Sequence, residues 1–160
     1  MEKDKKYNLE GVTLKKFFQE ELETMETAKI KAVQEEKFLK QFKFVYGNNA
    51  YYRKLCDKKG VGLDDVKCMA DIAKLPFLTK ADLREAYPDG LLCKPLADCV
   101  RIQSTSGTTG KRVVAYYTQH DVDLWEECCA RAIVAAGGTK EDVVQVAYGY
   151  GLFTGGAGLH

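Results

Sequence analysis

Apolar residues recur at helical spacing through most of the first hundred residues. Across residues 14–46 they follow the i, i+3, i+4 pattern of an amphipathic helix, and Gly47-Asn48-Asn49 provides a stop signal. A second helix is predicted to begin near Tyr51 and to end at Gly60. Charged residues separate the apolar ones, which is typical of helices with one buried face. This part of the chain is therefore predicted to be a packing region.

Two shorter helices are predicted before the pattern changes. One lies near residues 65–74. The other begins at Thr79, where Asp82 three residues later completes a capping box, and it ends before Pro88. Residues 1–95 are thus predicted to form a helical N-terminal region.

Strand patterns begin after residue 95. Val100-Arg101-Ile102-Gln103 alternates apolar and polar residues, and Val113-Val114-Ala115-Tyr116-Tyr117 is β-branched and aromatic. Two buried strands are predicted, and the residues between them are predicted to form a tight connecting loop.

A helix and a further strand are predicted to follow. Thr118 and Asp121 provide a cap for a helix that ends at Gly137-Gly138, and the apolar run over residues 143–147 predicts a third strand. Residues 96–160 are therefore predicted to be a strand-loop-strand-helix-strand unit. The fold class is α/β, in which ligands usually bind at strand ends.

Composition and charge narrow the classes of function. The net charge of +1 argues against a dedicated nucleic-acid binder. The N-terminus lacks the apolar stretch of a signal peptide, and no apolar run has the roughly 18 residues that span a membrane, so we expect a cytoplasmic protein without a membrane partner. Six cysteines and two histidines include no C-x-x-C pair, which favours reduced thiols and no metal site.

The loop between the first two strands is the segment whose side chains point most clearly to a binding function. Its eight residues are Ser104, Thr105, Ser106, Gly107, Thr108, Thr109, Gly110 and Lys111. Glycines open backbone angles that other residues avoid, hydroxyls and freed N–H groups can converge on an anion, and the lysine adds a positive charge. We predict that this segment binds phosphate.

A Walker A loop and a flexible linker are two other interpretations of this segment. A Walker A loop needs four residues between its glycines and a Ser or Thr after its lysine, whereas here only Thr108 and Thr109 separate the glycines and Arg112 follows Lys111. A flexible Ser/Thr/Gly linker fits the composition alone. The strand patterns on both sides of the loop argue against a linker.

An aromatic and glycine-rich segment follows the predicted third strand. Tyr148 and Phe153, separated by glycines, could line a flat apolar slot, with Tyr150 and Gly155 nearby. From periodicity alone the opposite interpretation, that these rings fill core space, carries more weight, because aromatic stripes are commonly packing.

These motifs together resemble a known family. Ser106-Gly107-Thr108-Thr109-Gly110-Lys111, then Tyr117-Thr118, then Trp125, then residues 148–156 are similar to the phenylacetate-coenzyme A ligase branch of the AMP-forming adenylating enzymes. The resemblance covers roughly residues 28–160. It implies that the helices pack on the beginning of an adenylate-forming N-terminal domain, that the loop binds ATP, and that Tyr148 and Phe153 contact an aryl ring.

The resemblance also implies an activity. An aryl acid, with phenylacetate as the default, would be adenylated by ATP and transferred to coenzyme A, with Mg²⁺ as a companion of ATP and a homodimer as the assembly. Family members are longer and carry their magnesium-binding acid, ribose-binding aspartate and catalytic lysine later in the chain, so we expect this sequence to be a fragment. A non-catalytic nucleotide-binding or anion-binding remnant of the family is the alternative.

Overall fold

A computed structural model of the protein describes residues 15–107, 112–151 and 154–158. Helices α1 (Glu20–Glu23), α2 (Thr27–Asn48), α3 (Ala50–Lys59) and α4 (Lys80–Glu85) come first. Strands β1 (Cys99–Ser104) and β2 (Val114–Thr118) follow, and then helices α5 (Gln119–Ala135) and α6 (Thr154–Ala157). Four of the described α-helices therefore precede residue 95, and both described strands follow it.

The single helix predicted over residues 14–46 is interrupted. Glu26 has an extended backbone (ψ 139°), which separates α1 from α2. The Thr24 hydroxyl donates to the Glu20 carbonyl at 2.7 Å and so terminates the first of these helices. The predicted stop is confirmed, because α2 ends at Asn48.

Asn49 joins α2 to α3 and is 2% exposed. Its Oδ1 accepts a hydrogen bond from the Tyr52 backbone N–H at 2.7 Å, as an N-cap does. Its Nδ2 donates to the carbonyls of Gly90 and Leu92, each at 3.3 Å. One buried side chain thus fastens the start of α3 to the segment that leads into the sheet.

The end of α3 and the following segment differ in how well the sequence predicted them. Gly60 ends α3 in the left-handed region (φ 71°), as predicted. Residues 65–74, predicted as one helix, instead form two 3-10 helices, Leu63–Asp65 and Met69–Lys74. Asp71 accepts the backbone N–H groups of Lys67 and Cys68 and so starts a new turn there.

The main core lies between α2, α3 and these 3-10 turns. Four buried residues form its centre, and partly buried apolar residues pack around them. The central residues are Phe42, Cys56, Val61 and Val66, and the surrounding ones are Phe38, Leu39, Tyr46, Tyr52 and Leu75. This confirms the packing role predicted for the helical region.

The two strands form an antiparallel hairpin. The register pairs Ile102 with Tyr116 and Ser104 with Val114. Helix α5 packs against both strands, and the Trp125 ring meets the Tyr117 ring edge-on at 5.4 Å between centroids. Because side chains alternate along a strand, Tyr117 faces α5, whereas Ile102, Tyr116, Ser104 and Val114 face the other side.

The predicted third strand at residues 143–147 is wrong for the described part of the chain, whose sheet has two strands. Val143 is 98% exposed and Val144 is 67% exposed. A strand needs a neighbour for its backbone hydrogen bonds, and no further described strand pairs with this hairpin.

The expectation of two buried strands also needs correction. Val100 and Ile102 are 59% and 46% exposed, whereas the polar Gln103 and Ser104 are buried. A two-stranded sheet covered by one helix leaves the apolar residues on its other face uncovered. Across the described ranges, no helix is long and apolar enough to cross a bilayer.

Candidate functional site

The hairpin ladder continues into the start of the predicted phosphate loop. The Thr105 N–H donates to the Val113 carbonyl at 3.0 Å, and the Val113 N–H donates to Thr105 Oγ1 at 3.1 Å. The loop is therefore closed at its base by backbone and hydroxyl bonds. This confirms the predicted strand-loop-strand connection and gives the Thr105 hydroxyl a structural partner.

The described part of the loop shows where glycine is required. Gly107 has φ 73°, a left-handed backbone angle that residues with a Cβ rarely adopt. Ser106 beside it is exposed. The remaining predicted phosphate ligands, Thr108, Thr109, Gly110 and Lys111, lie outside the described residues.

Ser104 lies apart from the exposed residues of the loop. It ends β1, is 5% exposed, and accepts a hydrogen bond from Arg112 Nη1 at 3.4 Å. Sequence reasoning noted Arg112 only as a departure from Walker A. Its position as a second cation directly after Lys111 was the signal that could have identified it.

Gln103 is the most unusual polar residue near the loop. It is 1% exposed, and within the described residues neither Nε2 nor Oε1 has a hydrogen-bond partner. Buried amides without partners cost stability and are rare in native proteins. The side chain lies in the strand position directly before the candidate loop.

The predicted aryl-binding residues lie on a separate segment. Tyr148 and Tyr150 are 62% and 58% exposed, so they do not form an enclosed slot. Gly155 is partly buried, and Phe153 lies outside the described residues.

A close backbone approach holds this segment together. A Cβ on Gly156 would lie 3.0 Å from the Gly149 carbonyl oxygen, a tight contact that would push the two backbones apart by a few tenths of an ångström. Cys129 Sγ, on α5, donates to the Gly158 carbonyl at 3.6 Å. The segment thus contacts the helix that covers the sheet.

Two cavities of about 310 Å³ lie on the hairpin face opposite Tyr117, and Tyr116 lines both. The first reaches α2 and includes Lys94, Asp89 and Asp121. Lys94 Nζ lies 5.4 Å from the centroid of the Phe44 ring in its wall. Burial raises the pKa of the Cys93 thiol, which also lines this cavity.

The second cavity is more apolar. Its described lining residues are Tyr87, Pro88, Ile102, Ser104, Arg112, Val114 and Tyr116. Neither cavity is lined by Tyr148 or Tyr150. The structure therefore brings Ser104 together with Arg112 and leaves the two predicted aryl-binding tyrosines exposed.

Phenylacetate-coenzyme A ligases are similar to this chain in sequence. The enzyme of Aromatoleum evansii is 46% identical over 143 residues, which cover 88% of this chain and 32% of that protein. The enzyme of Escherichia coli is 44% identical over 139 residues, with 87% and 32% covered. The chain thus spans 32% of the length of these relatives. No protein-family model matches it.

A solved structure shows the same fold. A 2-hydroxyisobutyryl-CoA ligase in complex with 2-HIB-AMP and CoA aligns with a TM-score of 0.83 at 24% identity, covering 91% of this chain and 32% of that one. The same ligase in its postadenylation state gives 0.82 at 22% identity. The predicted fold relationship to adenylate-forming CoA ligases is confirmed.

Proposed function

Because the chain is related over 88% of its length to phenylacetate-coenzyme A ligases, of which it spans 32%, we propose that it provides the nucleotide-binding and aryl-acid-binding part of such a ligase. The observation that carries the proposal is the 46% sequence identity between this chain and one such ligase. The Ser/Thr/Gly loop, closed at its base by two paired strands, agrees with it. The proposed substrate is phenylacetate or a related aryl acid.

The proposed reaction has two displacements. The carboxylate of the aryl acid attacks the α-phosphorus of ATP and releases pyrophosphate. The thiol of coenzyme A then attacks the acyl carbon of the adenylate and releases AMP. Neither step needs a covalent bond to the protein, so its contribution is to hold the reactants in line and to neutralise charge on oxygen.

The loop from Ser104 to Lys111 has the phosphate-binding role in this proposal. The hydrogen bonds between the two strands at the base of the loop support this role, because they fix both ends of the loop. Gly107 at φ 73° lets backbone N–H groups face an anion, and Lys111 supplies positive charge. Tyr148 and Phe153 have the aryl-binding role, which rests on the family resemblance, and Tyr150 and Gly155 are proposed to lie beside them.

Mg²⁺ is proposed to bind together with ATP as its counter-ion. Among the described residues no group of three or more His, Cys, Asp or Glu side chains could hold an ion. Mg²⁺ commonly uses substrate phosphate oxygens as ligands, and its role is to offset their charge. A cytoplasmic location and a homodimer belong to the same proposal, and the homodimer rests on the family resemblance.

Equilibrium dialysis and isotope exchange test the proposal. Mg-ATP is expected to bind the chain, and Lys111→Ala is expected to weaken binding on the order of tenfold through loss of a charge-assisted contact. Lys140→Ala, which removes an exposed lysine elsewhere, is the matched control. Phenylacetate-dependent exchange of labelled pyrophosphate into ATP would support adenylation by this chain.

The same experiment distinguishes this proposal from the alternative, a non-catalytic nucleotide-binding remnant. ATP binding without exchange would favour a nucleotide-binding chain that does not catalyse adenylation by itself, as a length of 32% of the relatives also allows. Absence of ATP binding would refute both.

A further inference from the structure

Arg112 directly follows the proposed phosphate loop, and its side chain contacts the strand that precedes the loop. The register pairs Ser104 with Val114, so the alternation of side chains places Arg112 on the same face of the hairpin as both. Arg112 Nη1 donates a hydrogen bond to Ser104 Oγ at 3.4 Å. A contact across the hairpin therefore holds the guanidinium at the base of the loop.

No carboxylate neutralises Arg112 among the residues that the structure describes. Two ion pairs are described in the chain, and neither involves Arg112. The described residues that line the cavity around Arg112 include no acid. Lys111 precedes it, so two cations are adjacent in sequence. Because like charges close together repel each other, a bound anion with several negative charges offsets more of this repulsion than a monoanion does.

The guanidinium has hydrogen-bond donors left after its contact with Ser104. Arginine carries several N–H groups, and within the described residues Arg112 uses one of them, on Nη1. The residue is exposed, so the other donors can meet a ligand that arrives from solvent. The planar fork of a guanidinium matches two oxygens of a phosphate, which a lysine ammonium does not.

Ser104 faces Arg112 and not the solvent. Ser104 is 5% exposed, whereas Thr105 and Ser106, the next two residues, are exposed. The Ser104 oxygen already accepts a hydrogen bond from Arg112. Its contribution to ligand binding is therefore indirect, because it fixes the direction of the guanidinium.

We propose that Arg112 is a further phosphate-binding residue, that it contacts the part of ATP that leaves as pyrophosphate, and that Ser104 is its positioning residue. This inference rests on the proposed function. When the carboxylate attacks the α-phosphorus, the bond from that phosphorus to the bridging oxygen breaks, and the electron pair stays on the pyrophosphate. The β- and γ-phosphates carry most of the negative charge of ATP, and Arg112 offsets the charge that grows there.

Isothermal titration calorimetry of the full chain with inorganic pyrophosphate, Mg-ATP and AMP tests this role. Arg112→Gln is expected to weaken the binding of pyrophosphate and of ATP on the order of tenfold each, because both lose a charge-assisted bond. The affinity for AMP, which lacks the two outer phosphates, should stay within about twofold. A residue that only supported the fold would weaken all three ligands alike.

Two further variants separate the geometry of the guanidinium from general charge. Arg112→Lys keeps the charge without the planar fork, so it should restore part of the affinity that Arg112→Gln loses. Lys94→Gln removes an exposed cation from the neighbouring cavity and should leave all affinities within about twofold, because salt screens exposed charges that do not touch the ligand. Far-UV circular dichroism of these variants should match that of the parent chain, since Arg112 and Lys94 are exposed.

A double-mutant cycle tests the positioning role of Ser104. Ser104→Ala is expected to weaken pyrophosphate binding about threefold in the parent chain and to have no further effect in Arg112→Gln, which has no guanidinium to orient. Equal losses in the two backgrounds would show that Ser104 acts independently of Arg112 and would refute the positioning role.

Two results would overturn the role of Arg112 itself. They are unchanged pyrophosphate affinity in Arg112→Gln, and equal losses for AMP and pyrophosphate. The proposed ligase function would survive both, because ATP binding and its loss in Lys111→Ala test that function separately. Conversely, Arg112-dependent pyrophosphate binding without ATP binding would support an anion contact by Arg112 and refute the ligase function.

Discussion

Replacing Gln103 with methionine should make the free chain more stable. The side chain is 1% exposed, and both polar atoms of its amide lack partners among the described residues. An unsatisfied buried polar group costs about 1–3 kcal/mol, and methionine has nearly the same length and shape without that cost. We expect Gln103→Met to raise the free energy of unfolding by about 2 kcal/mol, which corresponds to roughly 5 °C in Tm for a chain of this size.

Urea unfolding followed by circular dichroism at 222 nm measures this change. Gln34→Met is the matched control, because Gln34 is exposed on α2 and glutamine and methionine have similar helix propensities. The control should stay within about 0.5 kcal/mol of the parent. If Gln103→Met destabilises the chain or leaves it unchanged, the amide has a partner in solution and the reasoning fails.

Three further predictions concern the cap, a tyrosine and the exposed segment. Asn49→Ala should cost about 2–3 kcal/mol in urea unfolding, through the lost helix cap and two lost carbonyl bonds, whereas Asn49→Ser should cost about 1 kcal/mol less because it keeps the cap; equal costs would contradict this. Burial, together with the hydrogen bond to Asp82, raises the pKa of Tyr51 to about 12 from 10.0. The stability that Tyr51 contributes is therefore complete below pH 10 and lost as pH rises towards 12, so Tyr51→Phe should flatten the stability curve in that window, and an unchanged slope would refute the assignment. Val143→Lys should leave stability within about 0.5 kcal/mol, because Val143 is 98% exposed; a larger loss in thermal unfolding would show that the segment is buried.

Helix starts and ends that depend on only a few neighbouring residues were predicted well. The Thr79–Asp82 and Thr118–Asp121 pairs start α4 and α5 as capping boxes, and Gly60 ends α3 in the left-handed region. Each depends on hydrogen bonds or backbone angles within one turn. Neighbouring residues alone are enough to specify them.

The strand-loop-strand frame around the candidate loop was predicted for the same reason. A loop of hydroxyls and glycines between two strand patterns is a local feature, and the paired hairpin and the positive φ of Gly107 confirm its frame. The contact between Arg112 and Ser104 joins residues eight positions apart across the hairpin, so it depends on register. Periodicity gave no information about that register.

The wrong predictions concern burial and strand pairing, which depend on residues far apart in the chain. Residues 143–147 have strand composition but no described partner, and Val100 and Ile102 have the alternation of a buried strand but lie on an uncovered face. Composition records which side chains favour burial. It does not predict whether another helix or strand packs over those side chains.

The sequence by itself determined where helices start and stop, where the hairpin loop lies and which family the chain resembles, because caps, glycines and motifs act through adjacent residues. Tertiary structure alone decided that Gln103 is buried while Ile102 is exposed, and that Arg112 meets Ser104 beside an apolar cavity. Burial and cavity shape arise from packing between elements distant in the chain, and each depends on which face of the hairpin a helix covers.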